Sequence, residues 1–167
     1  MPILSNEFFR QDVLTVAPNL LGKLLVRKFD DGREERFRIT EVEAYRGEED
    51  KACHACKGRT KRTEVLFHEG GKIYIYLIYG MYWMLNFVTG SENEPQAVLI
   101  RGVEKISGPG RVGKRLQLSS DFYGEILPSE RIWVEDDGYK PDSFSTTPRI
   151  GIDYAEEWKD KEWRFVI

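Results

Sequence analysis

An α+β fold is the architecture this chain predicts: a mostly antiparallel, curved β-sheet with short flanking helices, in one domain over residues 1–167. Three observations predict it. Ile73, Ile75 and Leu77 alternate with Tyr74 and Tyr76, which is the two-residue period of a strand. Gly, Asp and Pro turn signals separate such runs at hairpin spacing. No alternation of strand, long helix and strand appears, so a parallel βαβ sheet is not expected. A chain of 167 residues, 41% of them hydrophobic, can bury one substantial core.

The elements follow in order. Asn6 is placed to cap a helical turn that includes Phe8, Phe9 and Asp12. Residues 17–21 suit a second helix, closed by Gly22. Residues 23–27 read as a strand, Asp30-Asp31-Gly32 as a turn, and residues 33–45 as a returning strand with Phe37 and Ile39 on one face. Residues 46–64 are polar and long for a connection, which marks a candidate functional loop. Residues 72–88 form the richest strand region, interrupted at Tyr79-Gly80-Met81-Tyr82, a hairpin tip. Residues 86–89 and 97–103 suit pairing across the turn at 90–95. Gly108-Pro109-Gly110 leads into a short helix over 111–118, and residues 132–134 and 163–167 are late strands.

Composition excludes several classes. No run approaches the ~18–20 apolar residues of a membrane helix. The first ten residues carry Glu7 and lack the apolar stretch of a signal peptide, so an intracellular protein is expected. The formal charge of -3 speaks against a uniformly basic nucleic-acid binder. That total hides an asymmetry. Residues 1–115 hold 19 Lys/Arg against 16 Asp/Glu, whereas residues 116–167 hold 6 against 12. An acidic final third masks a basic remainder.

The residues able to carry chemistry lie in that remainder. Glu41, Glu43 and Tyr45 share one face of a strand, where a carboxylate beside an aromatic ring could polarise water next to a stacked planar ligand. The competing interpretation is a plain solvent-facing strand. His54 sits between Cys53 and Cys56, but a zinc site needs about four ligands. A loop histidine that hydrogen-bonds backbone is therefore preferred, with no metal. Tyr74, Tyr76, Tyr79, Tyr82 and Trp83 form a dense aromatic run, usually a core feature. An exposed aromatic at the Tyr79-Gly80 tip can instead wedge into a base stack. Basic clusters flank the run, one at Lys57, Arg59, Lys61 and Arg62, the other at Arg101, Lys105, Arg111, Lys114 and Arg115. Each alone suits a solvated face; together with aromatics and glycine-led loops they suit a nucleic-acid backbone track. Pro2, if Met1 were removed, would offer a secondary amine for Schiff-base chemistry, a minor option.

The order of these pieces resembles the alkyladenine (3-methyladenine) DNA glycosylase family of base-excision repair. The resemblance starts at Phe8-Phe9 and at Leu20-Leu21-Gly22-Lys23-Leu24-Leu25-Val26. It passes through residues 41–45 and 50–54 and is most specific over residues 74–82, followed by Leu85-Asn86. It continues at Val98-Leu99-Ile100-Arg101, Gly108-Pro109-Gly110, Pro148-Arg149-Ile150-Gly151, Glu157-Trp158 and Trp163-Arg164-Phe165. It departs from the family at Lys61 and Thr63, where Pro and Asn often flank the loop arginine.

The resemblance implies roles. Glu43 activates the hydrolytic water. Arg101 helps hold that water and a nearby phosphate, and the backbone carbonyl of Ile150 contacts the same water. Tyr45, His54 and Tyr76 enclose a flipped base, Asn86 disfavours the amino group of guanine, and Tyr79 enters the duplex where the base leaves. Arg59, Arg62, Gly110, Arg111 and Lys114 are the expected DNA contacts. The implied activity is hydrolysis of the N-glycosidic bond of alkylated or deaminated purines in double-stranded DNA, by a monomer, without cofactor or strand cleavage. A different class, a non-catalytic nucleic-acid-binding module of the same fold, is opposed by the joint presence of Glu43, Arg101 and Asn86.

Overall fold

The structure, a computed structural model, describes residues 2–167. Helix α1 (Asn6–Phe9) is a single turn that buries Phe9, and Asn6 is its first residue rather than its cap. Helix α2 spans Val13–Leu20, four residues earlier than the local pattern suggests. Its start is fixed by Asp12, whose carboxylate accepts from the Leu14 N–H at 2.8 Å. Val13, Val16, Ala17 and Leu20 form its buried stripe.

Nine strands among the described residues join one antiparallel sheet. They are β1 (Leu24–Lys28), β2 (Glu34–Arg46), β3 (Ile73–Ile78), β4 (Tyr82–Thr89), β5 (Gln96–Val103), β6 (Ile106–Ser107), β7 (Ile132–Glu135), β8 (Ser145–Thr147) and β9 (Arg164–Val166). The main order is β3-β4-β5-β2-β1-β7. The β4–β5 pairing runs from Asn86↔Leu99 to Thr89↔Gln96, as the turn at 90–95 predicts. Strands β6 and β8 are too short to show a period and are not legible in the sequence.

Strand β2 is the spine. Its first half pairs with β1, its second half with β5 and with β9. Against β5 its register slips twice. Between Ile39 and Glu41 the extra residue is Thr40, on β2; between Glu41 and Val42 it is Arg101, on β5. The slips are opposite in sense, so the register is restored beyond them. Such bulges bend a strand and re-aim a side chain.

Helix α3 spans Pro109–Arg115, starting and ending earlier than the expected 111–118. Pro109 stands at N1, where its missing N–H has no intrahelical partner to lose. Gln117, at φ 53°, turns the chain out of the helix. The helices α2 and α3 cover one side of the sheet, packing on β2 and β5 and on β4 and β5 respectively. Their contacts form the main core, around Ile39, Val42, Leu85, Phe87 and Ile100. A second core, with Cys53, Val65, Phe67 and Tyr74, anchors the loop that follows β2.

Candidate active site

Strand alternation puts Glu41, Glu43 and Tyr45 on one face of β2, as expected. Glu43 is fully buried. Its Oε1 accepts from the Tyr45 hydroxyl at 2.7 Å and its Oε2 from the Ile150 N–H at 2.7 Å. Arg101 Nη1 lies 3.6 Å from Oε1. Burial raises the Glu43 pKa from its ordinary value; Arg101, the Ile150 N–H and the Tyr45 hydroxyl only partly offset it. Glu43 is thus a carboxylate of enhanced basicity, fixed by three partners. The Ile150 N–H contacts the carboxylate directly, a contact apart from the one expected between its carbonyl and the water.

An aromatic pocket adjoins this carboxylate. The loop after β2 carries His54 on a 3-10 turn (His54–Lys57), and β3 carries Tyr76. The two rings meet edge to face at 4.5 Å between centroids. His54 Nδ1 lies 2.7 Å from the hydroxyl of buried Tyr74. Burial, aided by the charge of Arg62, lowers the His54 pKa to about 4, so the ring is neutral at physiological pH. Burial raises Tyr76 to about 12 and Tyr45 well above the ordinary phenol value, with Glu43 adding to each. Three rings therefore offer uncharged surfaces to a planar guest. Asn86 is buried on β4, its Nδ2 donating to Met84 O at 3.3 Å. It lines a small chamber of about 20 Å³ behind His54 and Tyr74.

A groove of about 480 Å³ leads outward from Tyr45, His54 and Tyr76 past Arg101 to Tyr79 and Arg111. Tyr79 is 83% exposed at the tip of the β3–β4 hairpin. Its φ is 54° and that of Gly80 is 64°, while Met81 N–H closes the turn onto Ile78 O at 3.1 Å. A left-handed conformation costs a non-glycine residue about 1–3 kcal/mol and is concentrated at functional sites. Gly110 lies where α3 crosses β4; a Cβ there would meet Tyr82 Cγ at 2.9 Å, so glycine permits the close packing that places Arg111 on the groove.

The basic residues divide. Arg62 lies with its guanidinium 5.5 Å from the Tyr76 ring, and no carboxylate pairs with it among the described residues. Arg59 points elsewhere: it pairs with Glu64 at 2.6 Å and donates to Asn93 at 3.1 Å. Lys114 is exposed on α3 and does not line the groove. Pro2 is bonded through its carbonyl to Asp136 N–H, beside the outer strand β7, whereas Glu43 lies in the far half of β2.

One part of the site was given no role by the sequence, although both of its segments carry the resemblance. Arg149 and Asp50 form a buried bidentate pair at 2.7 and 2.9 Å. Arg149 also donates to Ala44 O at 3.0 Å and Trp158 O at 3.1 Å, and its guanidinium lies 4.8 Å from the Tyr45 ring. Asp50 accepts from the N–H groups of Arg46 and Ala52. The pair ties the start of the His54 loop to the segment that delivers Ile150. The available hint was Arg149 itself, one of six cations in an acidic final third.

The chain was compared with known proteins. The family model for methylpurine-DNA glycosylase (MPG) matches residues 7–107 and 103–167. A relative from Legionella pneumophila (strain Lens) is 44% identical, covering 98% of this chain and 93% of its own. One from Methanocella arvoryzae is 42% identical, covering 99% and 92%, and one from Psychrobacter cryohalolentis is 40% identical, covering 98% and 91%. All three are provisionally named 3-methyladenine DNA glycosylase. A family match over nearly the full length, with relatives this similar, places the chain: it belongs to the methylpurine-DNA glycosylase family.

Proposed function

We propose that residues 1–167 form one catalytic domain, a monofunctional glycosylase that hydrolyses the N-glycosidic bond of flipped-out alkylated or deaminated purines in double-stranded DNA. The observation that carries this is the buried carboxylate of Glu43, held by Tyr45, Ile150 and Arg101 at the edge of a neutral aromatic pocket. A base within a duplex is out of reach, so it must first rotate out, at a few kcal/mol. Damaged or mispaired bases cost less, which is a first sieve. Tyr79 fills the space the base leaves. Tyr45, His54 and Tyr76 then stack on the base, at ~1–3 kcal/mol per stacked base.

Tyr74 is buried and has His54 as its hydrogen-bond partner, so its proton is best used on Nδ1. The single proton of the neutral ring then sits on Nε2 and is offered to an acceptor. Glu43 takes a proton from water as the water oxygen bonds to the anomeric carbon. The bond from that carbon to the base nitrogen breaks, and the base leaves with the electron pair. An alkylated purine is electron-poor and leaves readily, so a positioned nucleophile is the main requirement. The groove past Arg101 and Arg111 suits the DNA backbone, and Asn86 bears on the exocyclic group of the base.

The test is a panel of duplexes, each with one 3-methyladenine, 7-methylguanine, hypoxanthine or ethenoadenine, assayed for free base. Wild type releases base from at least one of them, whereas Glu43→Gln binds that duplex and releases none. Full release by the Gln variant would overturn the mechanism. Failure of wild type on the whole panel, with binding retained, would favour the non-catalytic module.

A further inference from the structure

Two charged residues beside the site, Glu41 and Arg164, have no part in the mechanism above. Glu41 Oε2 accepts from two guanidinium groups, Arg101 Nε at 3.2 Å and Arg164 Nε at 2.6 Å. Arg164 Nη1 also donates to Thr147 Oγ1 at 2.9 Å. Glu41 is buried at 8% exposure, and both arginine side chains are largely covered. A carboxylate is costly to desolvate there unless cations and hydrogen bonds compensate it. Three strands meet at this point. Glu41 comes from β2, Arg101 from the bulge of β5, and Arg164 from β9, whose register sets Glu41 opposite Val166 and Glu43 opposite Arg164.

The geometry explains why Arg101 does not collapse onto Glu43. Its Nε is committed to Glu41, and Nη1 stops at 3.6 Å from Glu43 Oε1. A guanidinium free of Glu41 could turn its fork onto Glu43 and form the bidentate pair that arginine and carboxylate favour. Glu43 would then be a weaker base with less of its oxygen free for water.

We infer that Glu41 is a positioning residue that holds Arg101 at a set distance from Glu43, with Arg164 as its counter-charge. This rests on Glu43 acting as the base. Glu41 touches neither substrate nor the reacting water; it acts through Arg101. The groups that face Glu43 are Tyr45 on β2, Arg101 on β5, Tyr76 on β3, and Arg149 with the Ile150 N–H on the segment after β8. Glu41 and Arg164 form the next layer.

The test uses opposite signs. Glu41→Gln removes a negative charge and frees Arg101, so the acid limb of the pH–rate profile moves to lower pH. Arg164→Gln removes a positive charge and leaves Glu41 uncompensated, so the limb moves to higher pH. Each shift is about one pH unit, the lower end of what a neighbouring charge produces. Both variants lose thermal stability, so stability alone cannot produce the opposed pair. Rates are single-turnover base release, with binding of lesion duplex as the check on folding. Limbs that stay in place, or move the same way, overturn the inference. Should Glu41→Gln fail to fold, Arg164→Gln decides by itself: an unmoved limb overturns the inference. A Glu43→Gln variant that releases base at the wild-type rate overturns the base assignment instead.

Discussion

On one side of the cleft lie His54, Tyr74, Tyr76 and the Tyr45 ring; on the other lie Glu43, Glu41, Arg101 and Arg164. The aromatic side excludes charge. Burial keeps His54 neutral and its tyrosines protonated, so its surfaces are complementary to a flat, electron-poor guest. The ionic side keeps charge in a place equally hostile to it. Burial raises the Glu43 pKa, and Arg101, the Ile150 N–H and the Tyr45 hydroxyl offset that only in part. The difference teaches that, in the function proposed, binding and chemistry are built from unlike materials. Tyr45 belongs to both sides, through its ring and its hydroxyl.

The sharpest way to break this contrast is Glu43→Gln. Single-turnover base release should fall by ~10²–10⁴-fold, the usual contribution of general-base assistance. The amide can accept from Ile150 N–H and donate to the Tyr45 oxygen, so the fold is kept. The melting temperature should rise. A carboxyl whose pKa is raised on folding loses stability as pH climbs from the ordinary glutamate value, about 4.3, through the raised one. The Gln variant should therefore melt higher above that window and equal wild type below it. His54 has the opposite sign. Its depressed pKa means stability is lost as pH falls from 6.5 toward about 4, and His54→Gln should abolish that slope.

Asp50→Asn tests the pair beneath both sides. Leaving Arg149 buried without its carboxylate should cost about 3–5 kcal/mol, read by chemical denaturation. Tyr76→Leu acts chiefly on the aromatic side: lesion-duplex affinity should drop by ~1–3 kcal/mol. Tyr45→Phe does the reverse. It keeps the ring and removes a donor from Glu43 Oε1, so affinity should hold while the acid limb moves up. Smallest is Arg111→Gln, which should lower the salt slope of binding to undamaged duplex by about one phosphate contact. A slope equal to wild type would remove Arg111 from the DNA track.

Much of the site was legible because it is local. Glu41, Glu43 and Tyr45 share a face through the strand period alone. The Tyr79-Gly80 tip and the β4–β5 hairpin follow from turn chemistry and short sequence separation. The resemblance gave roles to His54, Tyr76, Asn86, Arg101 and Ile150; the structure sets Arg101 and the Ile150 N–H against Glu43, and His54, Tyr76 and Asn86 along one chamber with Tyr45. The basic clusters divide in the structure, because composition cannot say which cations are already paired. Arg59 faces Glu64, while Arg62 faces the aromatic pocket. Helix ends were displaced because Asp12 and Pro109, rather than the apolar period, set them.

The sequence by itself determined the α+β class, the antiparallel hairpins and the face that carries the carboxylate, since these depend on residues within a few positions of one another. Only the tertiary structure decided how that carboxylate is held. Arg149 meets Asp50 across 99 residues, Ile150 meets Glu43 across 107, and Arg164 meets Glu41 across 123. Two compensating bulges aim Arg101. No local period encodes a contact that forms only once β9 has docked on β2, because its energy comes from charges and N–H groups desolvated together by the completed sheet.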